Sequence, residues 1–236
     1  MHRPPTTDLK LVHEDPHLLV LDKPAGLLCV PGRGEDKQDC LSARAVARWP
    51  EALVVHRLDM ATSGLVLMAR DAATQRTLGD AFAEQQVWKR YEAVVDGVLE
   101  AGPYWAEINA PLMADWPRRP LQKVDPAGKP SVTRWRVVEA LPALRASHLL
   151  LAPRTGRTHQ LRVHLASIGH PILGDALYGS DEVRLRTPRL MLHASVLQLR
   201  HPATGEALRF ESVPPFAAAT DEARVVAERP APIRSP

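Results

Sequence analysis

Apolar residues in this chain fall mostly into short runs set between turn-forming residues, the pattern of buried strands more than of long amphipathic helices. Leu9–Val12 and Leu18–Asp22 predict two strands joined by His13-Glu14-Asp15-Pro16-His17, a turn sequence with its Pro. Leu53-Val54-Val55, Leu65–Met68, Tyr91–Val95 and Leu149-Leu150-Leu151 predict interior strands. Leu190–Leu199 and Leu208–Phe210 predict a closing hairpin around His201-Pro202-Ala203-Thr204-Gly205. Helical spacing is confined to three segments. Leu41–Trp49 carries Leu41, Ala45, Val46 and Trp49 at helical intervals and stops before Pro50. Ala72–Gln86 turns Leu78, Ala81 and Phe82 inward, and Thr158–Ser167 turns Leu161 and Val163 to Leu165 toward the sheet, its N-terminus suited to an anion. Short strands and turns fill Trp105 to Trp135, with loops at 115–120 and 128–133 flanking a groove.

One polar cluster interrupts this pattern. His56-Arg57-Leu58-Asp59 stands between two of the buried runs, and Thr62-Ser63-Gly64 supplies the turn. An Asp placed there is costly unless something pairs with it. Asp59 as a turn or cap residue, with Arg57 as its surface partner, is the structural alternative.

Composition narrows the class. At 236 residues with 45% hydrophobic positions, the chain can bury a substantial core as one domain or two closely joined halves. Aromatics at 5% exclude a broad platform of stacked rings for single strands. Lys and Arg number 30 against 27 Asp and Glu, a net +3; the total is a weak sign, but Arg118, Arg119, Arg154, Arg157, Arg162, Arg184, Arg186 and Arg189 gather near the motifs and point to nucleic acid. No run approaches the roughly 20 apolar residues of a membrane helix, and Met1-His2-Arg3-Pro4-Pro5 begins no signal peptide. Cys29 and Cys40 lack metal or redox spacing. A cytoplasmic protein with free thiols and no membrane partner is expected. Pro31–Lys37 lacks the rest of a phosphate-cradling loop. Without internal repeats or a long linker, the expected organisation is a loose tail over 1–8, one catalytic domain over 9–216 and a disordered tail over 217–236, with no room before Leu9 for an accessory RNA-binding domain.

His56-Arg57-Leu58-Asp59-Met60-Ala61-Thr62-Ser63-Gly64 resembles the signature of the RluA-type pseudouridine synthases. Three further stretches agree in order: Lys89-Arg90-Tyr91-Glu92-Ala93-Val94-Val95, Arg154 to His164 with its Gly156-Arg157-Thr158-His159-Gln160-Leu161-Arg162, and Gly169-His170-Pro171-Ile172-Leu173-Gly174-Asp175. Lys23-Pro24-Ala25-Gly26 is similar to the family's entry to the catalytic region, and as residues it reads as a Pro-Gly turn. The resemblance implies an α+β pseudouridine-synthase fold: a mixed, mostly antiparallel sheet around a central catalytic cleft with flanking helices. It implies Asp59 as nucleophile, Arg162 as its cationic partner, Tyr91 stacked on the target base and placed to take a proton, and Arg57 entering the space the base leaves. His56, Thr62, Trp116, Arg118, Arg119, Lys129, Arg157 and His159 complete the expected RNA-binding set. Within the family the Asp115-Trp116-Pro117-Arg118-Arg119-Pro120 and Gly128-Lys129-Pro130 stretches resemble members that act on both a hairpin of 23S ribosomal RNA and the anticodon stem-loop of transfer RNA. An enzyme for one RNA alone, and a non-catalytic RNA-binding or chaperone relative, are the alternatives. A monomer is expected.

Isomerising uridine to pseudouridine gains and loses no group, so no cofactor is expected. It needs a nucleophile that bonds transiently, and a target extruded from its helix. A carboxylate in such a site holds its charge through a nearby cation. No metal is expected from His56, His159 and His164: the interval from His159 to His164 does not put both imidazoles on one helical face. A hydrolytic triad of Ser63, His56 and Asp59 is excluded by their closeness in sequence and by the missing nucleophile elbow.

Overall fold

β1 (Lys10–Glu14) and β2 (Leu18–Lys23) form an antiparallel pair. Asp15 closes their turn, accepting the backbone N–H groups of His17 at 2.7 Å and Leu18 at 2.9 Å. The computed structural model that shows this describes residue 5 and residues 8–216. The tail expected over 217–236, and all but residues 5 and 8 of the one over 1–8, lie outside the described residues. Helix α1 (Leu41–Arg48), β3 (Leu53–Val54) and β4 (Ser63–Ala69) come next. Helix α2 (Ala72–Ala83) starts on the Asp71 cap, whose carboxylate accepts from Thr74 N at 2.8 Å. β5 (Trp88–Asp96), β6 (Ala106–Asn109), β7 (Leu112–Ala114), β8 (Gln122–Val124), β9 (Val132–Leu141) and β10 (Ala146–Pro153) lead to α3 (Gln160–Ser167), α4 (Asp181–Leu185), β11 (Leu192–Arg200) and β12 (Ala207–Glu211).

A ten-stranded sheet in the order β1-β2-β4-β11-β5-β10-β9-β6 runs through the described residues, with β3 beside β4 and β12 beside β11, while β7 and β8 form a separate ribbon. The β4–β11 pairing is parallel and the others are antiparallel. The mixed, mostly antiparallel α+β architecture is therefore as expected. Three apolar clusters fill it: one under α1 with Leu19, Leu21 and Met68, one under α2 with Leu65, Leu67 and Phe210, and one joining β5, β10 and β11 to α3.

The parallel seam is the irregular place. β4 touches β11 only at Ser63↔His193 and Gly64↔Ala194, and from Val196 onward β11 pairs with β12. Backbone approach is tight here: a Cβ on Gly64 would lie 2.4 Å from the Ala194 carbonyl oxygen, and Gly64 sits at φ 111°, a conformation other residues adopt only under strain. The row continues from Ala194 to Tyr91 on β5 and Leu151 on β10. Two strand spacings, about 10 Å, thus carry the chain from the turn after Asp59 to Tyr91.

Several expected bounds shift for local reasons. Val46 is exposed, since α1 buries Leu41 and Ala45 instead. α2 ends at Ala83 because Gln85 turns left-handed at φ 61°. α3 begins at Gln160, since His159 holds φ 55°. β11 is an interior strand of the sheet, and only β12 takes the closing position.

Gly64→Ala should lower stability by about 3 kcal/mol through backbone strain and the clash with Ala194. Urea unfolding checks this, and an unchanged midpoint would refute the tight seam.

Candidate active site

The loop that carries Asp59 is held from below by backbone contacts. Leu58 N donates to Cys29 Sγ at 3.2 Å, Thr62 N donates to the Asp59 carbonyl at 3.1 Å, and Gly26 N donates to the Met60 carbonyl at 2.8 Å. Lys23 is fully buried beneath this loop, its ammonium donating to the carbonyls of Pro24, Leu27 and Met60 at 2.9, 2.8 and 3.1 Å. All three of its protons are therefore used. Burial pushes Lys23 down to about 8, against the pull of Cys29 and Asp59 nearby. Lys23-Pro24-Ala25-Gly26 is thus more than a turn: it bolts the Asp59 loop to the end of β2.

Arg162 projects from α3 into the same place. Its Nη1 lies 3.4 Å from Asp59 Oδ2, the pairing expected from the sequence. A closer partner was not expected. Nε and Nη2 of Arg162 make a two-pronged contact with Asp175, at 2.8 Å to Oδ2 and 2.7 Å to Oδ1. Side-chain exposure separates the two acids, 24% for Asp59 and 0% for Asp175, with Arg162 at 5%. Burial works against the Arg162 charge, but the hydrogen bonds and charge of Asp175, and then Asp59, hold it above its ordinary value. Asp175 in turn accepts the N–H groups of Leu177 at 2.9 Å and Tyr178 at 3.2 Å.

His159 and Tyr91 complete the floor. His159 Nε2 is 3.9 Å from Asp59 Oδ1, and burial holds the imidazole below its ordinary range despite the pull of Asp59. Tyr91, half-buried at the cleft wall, has its phenol raised by burial and by the Asp59 charge. At neutral pH Tyr91 is protonated: it can stack or donate, and it is no ready-made base. Gln160 locks the preceding loop, accepting from Thr155 Oγ1 at 2.7 Å and Arg157 N at 3.0 Å while donating to the Val132 carbonyl and Thr133 Oγ1, both at 3.0 Å.

Of the expected site residues, the fold gathers Arg57, Asp59, Thr62, Tyr91, Arg157, His159 and Arg162 around one cleft. Thr62 is buried, whereas Arg57 and Arg157 are exposed on the rim. His56 is engaged structurally: its Nε2 accepts from Leu67 N at 2.9 Å and its ring stacks on Phe82 at 4.5 Å. Trp116, Arg118, Arg119 and Lys129 do not line that floor. They belong to the β7–β8 excursion, where Trp116 is 64% exposed under the Arg119 guanidinium at 3.5 Å and Arg118 is tied to Asp115 at 2.7 Å; Pro120 brings this excursion to the hollow adjoining Asp59. Among the described residues there is no cluster of three or more His, Cys, Asp or Glu arranged to hold a metal, and no helix long and apolar enough to cross a membrane.

This chain matches the family described as RNA pseudouridylate synthase over residues 17–167. It is 44% identical over 209 residues to the dual-specificity RNA pseudouridine synthase RluA of Escherichia coli K12, covering 88% of this chain and 94% of that protein. The chain belongs to the RNA pseudouridylate synthase family. The RluA of Pasteurella multocida is 42% identical over 217 residues, covering 91% of this chain and 98% of its own length. Among solved structures, human RNA pseudouridylate synthase domain containing 1 superposes with a TM-score of 0.74 at 28% identity, over 94% of this chain and 90% of that one. As a member of this family the protein is an isomerase that acts on RNA.

Two residues of this network were given no role from the sequence: Asp175, which stood only as the end of the Gly169–Asp175 stretch, and Tyr178. A signal existed for Asp175: a buried arginine calls for a carboxylate, and Asp175 is the first acid that follows Arg162. Nothing in the pattern singled out Tyr178.

Arg162→Ala strands the buried Asp175 and should cost about 3–5 kcal/mol, whereas Asp59→Ala removes the more exposed acid and should cost about 1 kcal/mol or less. Urea unfolding of both variants checks this, and equal losses would contradict the burial order. A second expectation concerns acid. Burial holds His56 down to about 3 and His193, wedged between Ser63 Oγ at 2.8 Å and Ser212 Oγ at 3.0 Å, down to about 4. Unfolded histidine takes up its proton near about 6.5, so this stability is full above that pH and is lost as the pH falls toward the folded values. Each group should cost about 2 kcal/mol by pH 5. In His56→Gln the loss between pH 7 and pH 5 should be smaller by that amount, and an identical slope would contradict it.

Proposed function

We propose that this chain isomerises uridine to pseudouridine in two kinds of stem-loop, a hairpin of 23S ribosomal RNA and the anticodon arm of transfer RNA, with Asp59 as nucleophile. The observation that carries the reading is the Asp59 carboxylate, partly open to the cleft and 3.4 Å from a guanidinium that is itself anchored elsewhere. Asp59 bonds transiently to the nucleoside as the bond from N1 of the base to the ribose breaks, the base turns and bonds to the ribose through C5, and the Asp59 bond is released; C5 gives up its proton and N1 takes one, so the product has the atoms of the substrate. No group is added or removed, so the residues present suffice without a cofactor.

Arg57 supplies the guanidinium that fills the stack when the uridine swings out, at an unpairing cost of a few kcal/mol. It is exposed at the rim beside Asp59, and planar enough to stack on a base. Tyr91 packs against the base as a protonated phenol. Arg157 and Thr62 line the same cleft, and the Trp116 loop, with its stacked Arg119, reaches the RNA beyond it, together with Lys129. The dual specificity rests on the relatives: RluA proteins from Escherichia, Haemophilus and Pasteurella carry that description, at 44, 41 and 42% identity. Continuity of one sheet from β1 to β12 supports residues 9–216 as a single catalytic domain. The enzyme works as a monomer in the cytoplasm, where both RNAs reside.

Ribosomal and transfer RNA from cells lacking the gene, complemented with the natural chain or with Asp59→Ala, should be mapped for pseudouridine. The natural chain should restore one uridine site in each RNA, and Asp59→Ala should restore none while binding the stem-loops within about threefold of the natural chain. Product from Asp59→Ala would remove Asp59 as nucleophile. Restoration in only one RNA would reduce the dual assignment to a single substrate.

A further inference from the structure

Tyr178 stands one residue behind the cleft floor, and its hydroxyl has two neighbours. Gln122 N donates to Tyr178 Oη at 2.9 Å, and His159 Nδ1 lies 2.7 Å from the same oxygen. The backbone N–H occupies an acceptor site of the phenol, and Nδ1 is the one acceptor among the described residues within hydrogen-bond distance of that oxygen, so the phenol is satisfied when its own proton goes to Nδ1. An imidazole nitrogen that accepts a hydrogen bond carries no proton, and a neutral ring then carries it on the other nitrogen. That other nitrogen, Nε2, is the one 3.9 Å from Asp59 Oδ1. The electrostatics agree: burial raises the Tyr178 phenol, so it has a proton to give, and burial keeps His159 neutral.

We propose that Tyr178 fixes His159 as the tautomer protonated on Nε2, making His159 an uncharged hydrogen-bond donor to Asp59 Oδ1 once RNA fills the cleft. This deepens the reading of Asp59 as nucleophile and rests on it. The carboxylate then has a cation on one oxygen, Arg162 at 3.4 Å from Oδ2, and a neutral donor facing the other. Two donors on opposite oxygens fix the plane of the carboxylate, and a neutral second donor orients it without the full charge of another cation. Tyr178 acts through His159 and is a positioning residue. Its anchor at Gln122 lies on β8, the strand that follows the Trp116 loop, so the excursion reaching toward RNA is bonded to the residue that sets His159.

A merely structural role for His159 makes a different prediction. His159 sits at φ 55° as the residue before α3, a conformation that Asn tolerates better than Gln. Gln, however, places an amide N–H where Nε2 stood, and Asn places it only as far as Nδ1. His159→Gln should therefore keep kcat within about tenfold of the natural enzyme, whereas His159→Asn should lose about a hundredfold, the scale of a missing active-site donor. Tyr178→Phe should lower kcat about tenfold, the worth of one hydrogen bond, with KM for the stem-loop unchanged. Nitrogen-15 NMR of imidazole-labelled natural protein without RNA reads the tautomer directly, and should show the protonated nitrogen to be Nε2. A proton on Nδ1, or Asn equal to or better than Gln, overturns the proposal. The tautomer is read without turnover, so it can fail while Asp59→Ala remains inactive, and it can stand even if Asp59 proves not to be the nucleophile.

Discussion

A single guanidinium shared by two acids of unequal burial is the constraint around which the cleft is organised. Arg162 spends Nε and Nη2 on Asp175, which is inaccessible, and has Nη1 left for Asp59, which is not. The two-pronged contact fixes the direction of the side chain as well as its charge. If Asp59 were the sole partner, the arginine would follow any motion of that carboxylate. With Asp175 as anchor the cation is held independently of Asp59. At a separation of about 4 Å and an effective dielectric of about 20, one such pairing is worth about 4 kcal/mol before desolvation.

Charge balance explains why the surroundings tolerate this arrangement. Asp59 and Asp175 are matched by Arg162 and by the buried Lys23, whose ammonium is close enough to feel the Asp59 charge. Among the described residues no carboxylate is in hydrogen-bond contact with Lys23; three carbonyls satisfy it instead, one of them belonging to Met60, the residue after Asp59. The same cation therefore offsets charge and shapes the backbone. Around this centre the buried histidines are neutral: His164 is spanned by Thr133 Oγ1 and the Ala110 carbonyl, both at 2.9 Å, and His56 accepts from Leu67 N.

Most of the strand pattern was legible in the sequence, because buried strands of Leu and Val leave uninterrupted apolar runs. The boundaries that moved were those set by backbone conformation, at Gln85 and His159, neither of which is a glycine. That Asp59 and Arg162 would meet was legible through family resemblance, as was the presence of Tyr91 nearby. Register explains the last of these physically: Gly64, Ala194 and Tyr91 lie in one row across β4, β11 and β5, a contact that no local pattern encodes. Asp175, Tyr178 and the burial of Lys23 were not legible as a set, since their meaning comes from who faces whom across 10 to 40 residues or more of chain. His56 shows the reverse case. Its place in the motif suggested contact with RNA, and its ring also ties β4 to α2, a structural part that the motif did not suggest.

The separation of rim from floor has a mechanistic consequence. Arg57, Arg154 and Arg157 are exposed at the mouth and have no acidic partner among the described residues, whereas on the floor Asp59 and Asp175 both lie against Arg162. The rim arginines stand in high dielectric, where the attraction between an arginine and a phosphate is screened by salt within about 10 Å. The floor is partly closed to water, so the Asp59–Arg162 contact is screened far less. Two electrostatic regimes thus lie a few residues apart, and the loop from Arg154 to His159, clamped by Gln160 at its centre, joins them: its first residue is exposed at the rim and its last faces Asp59.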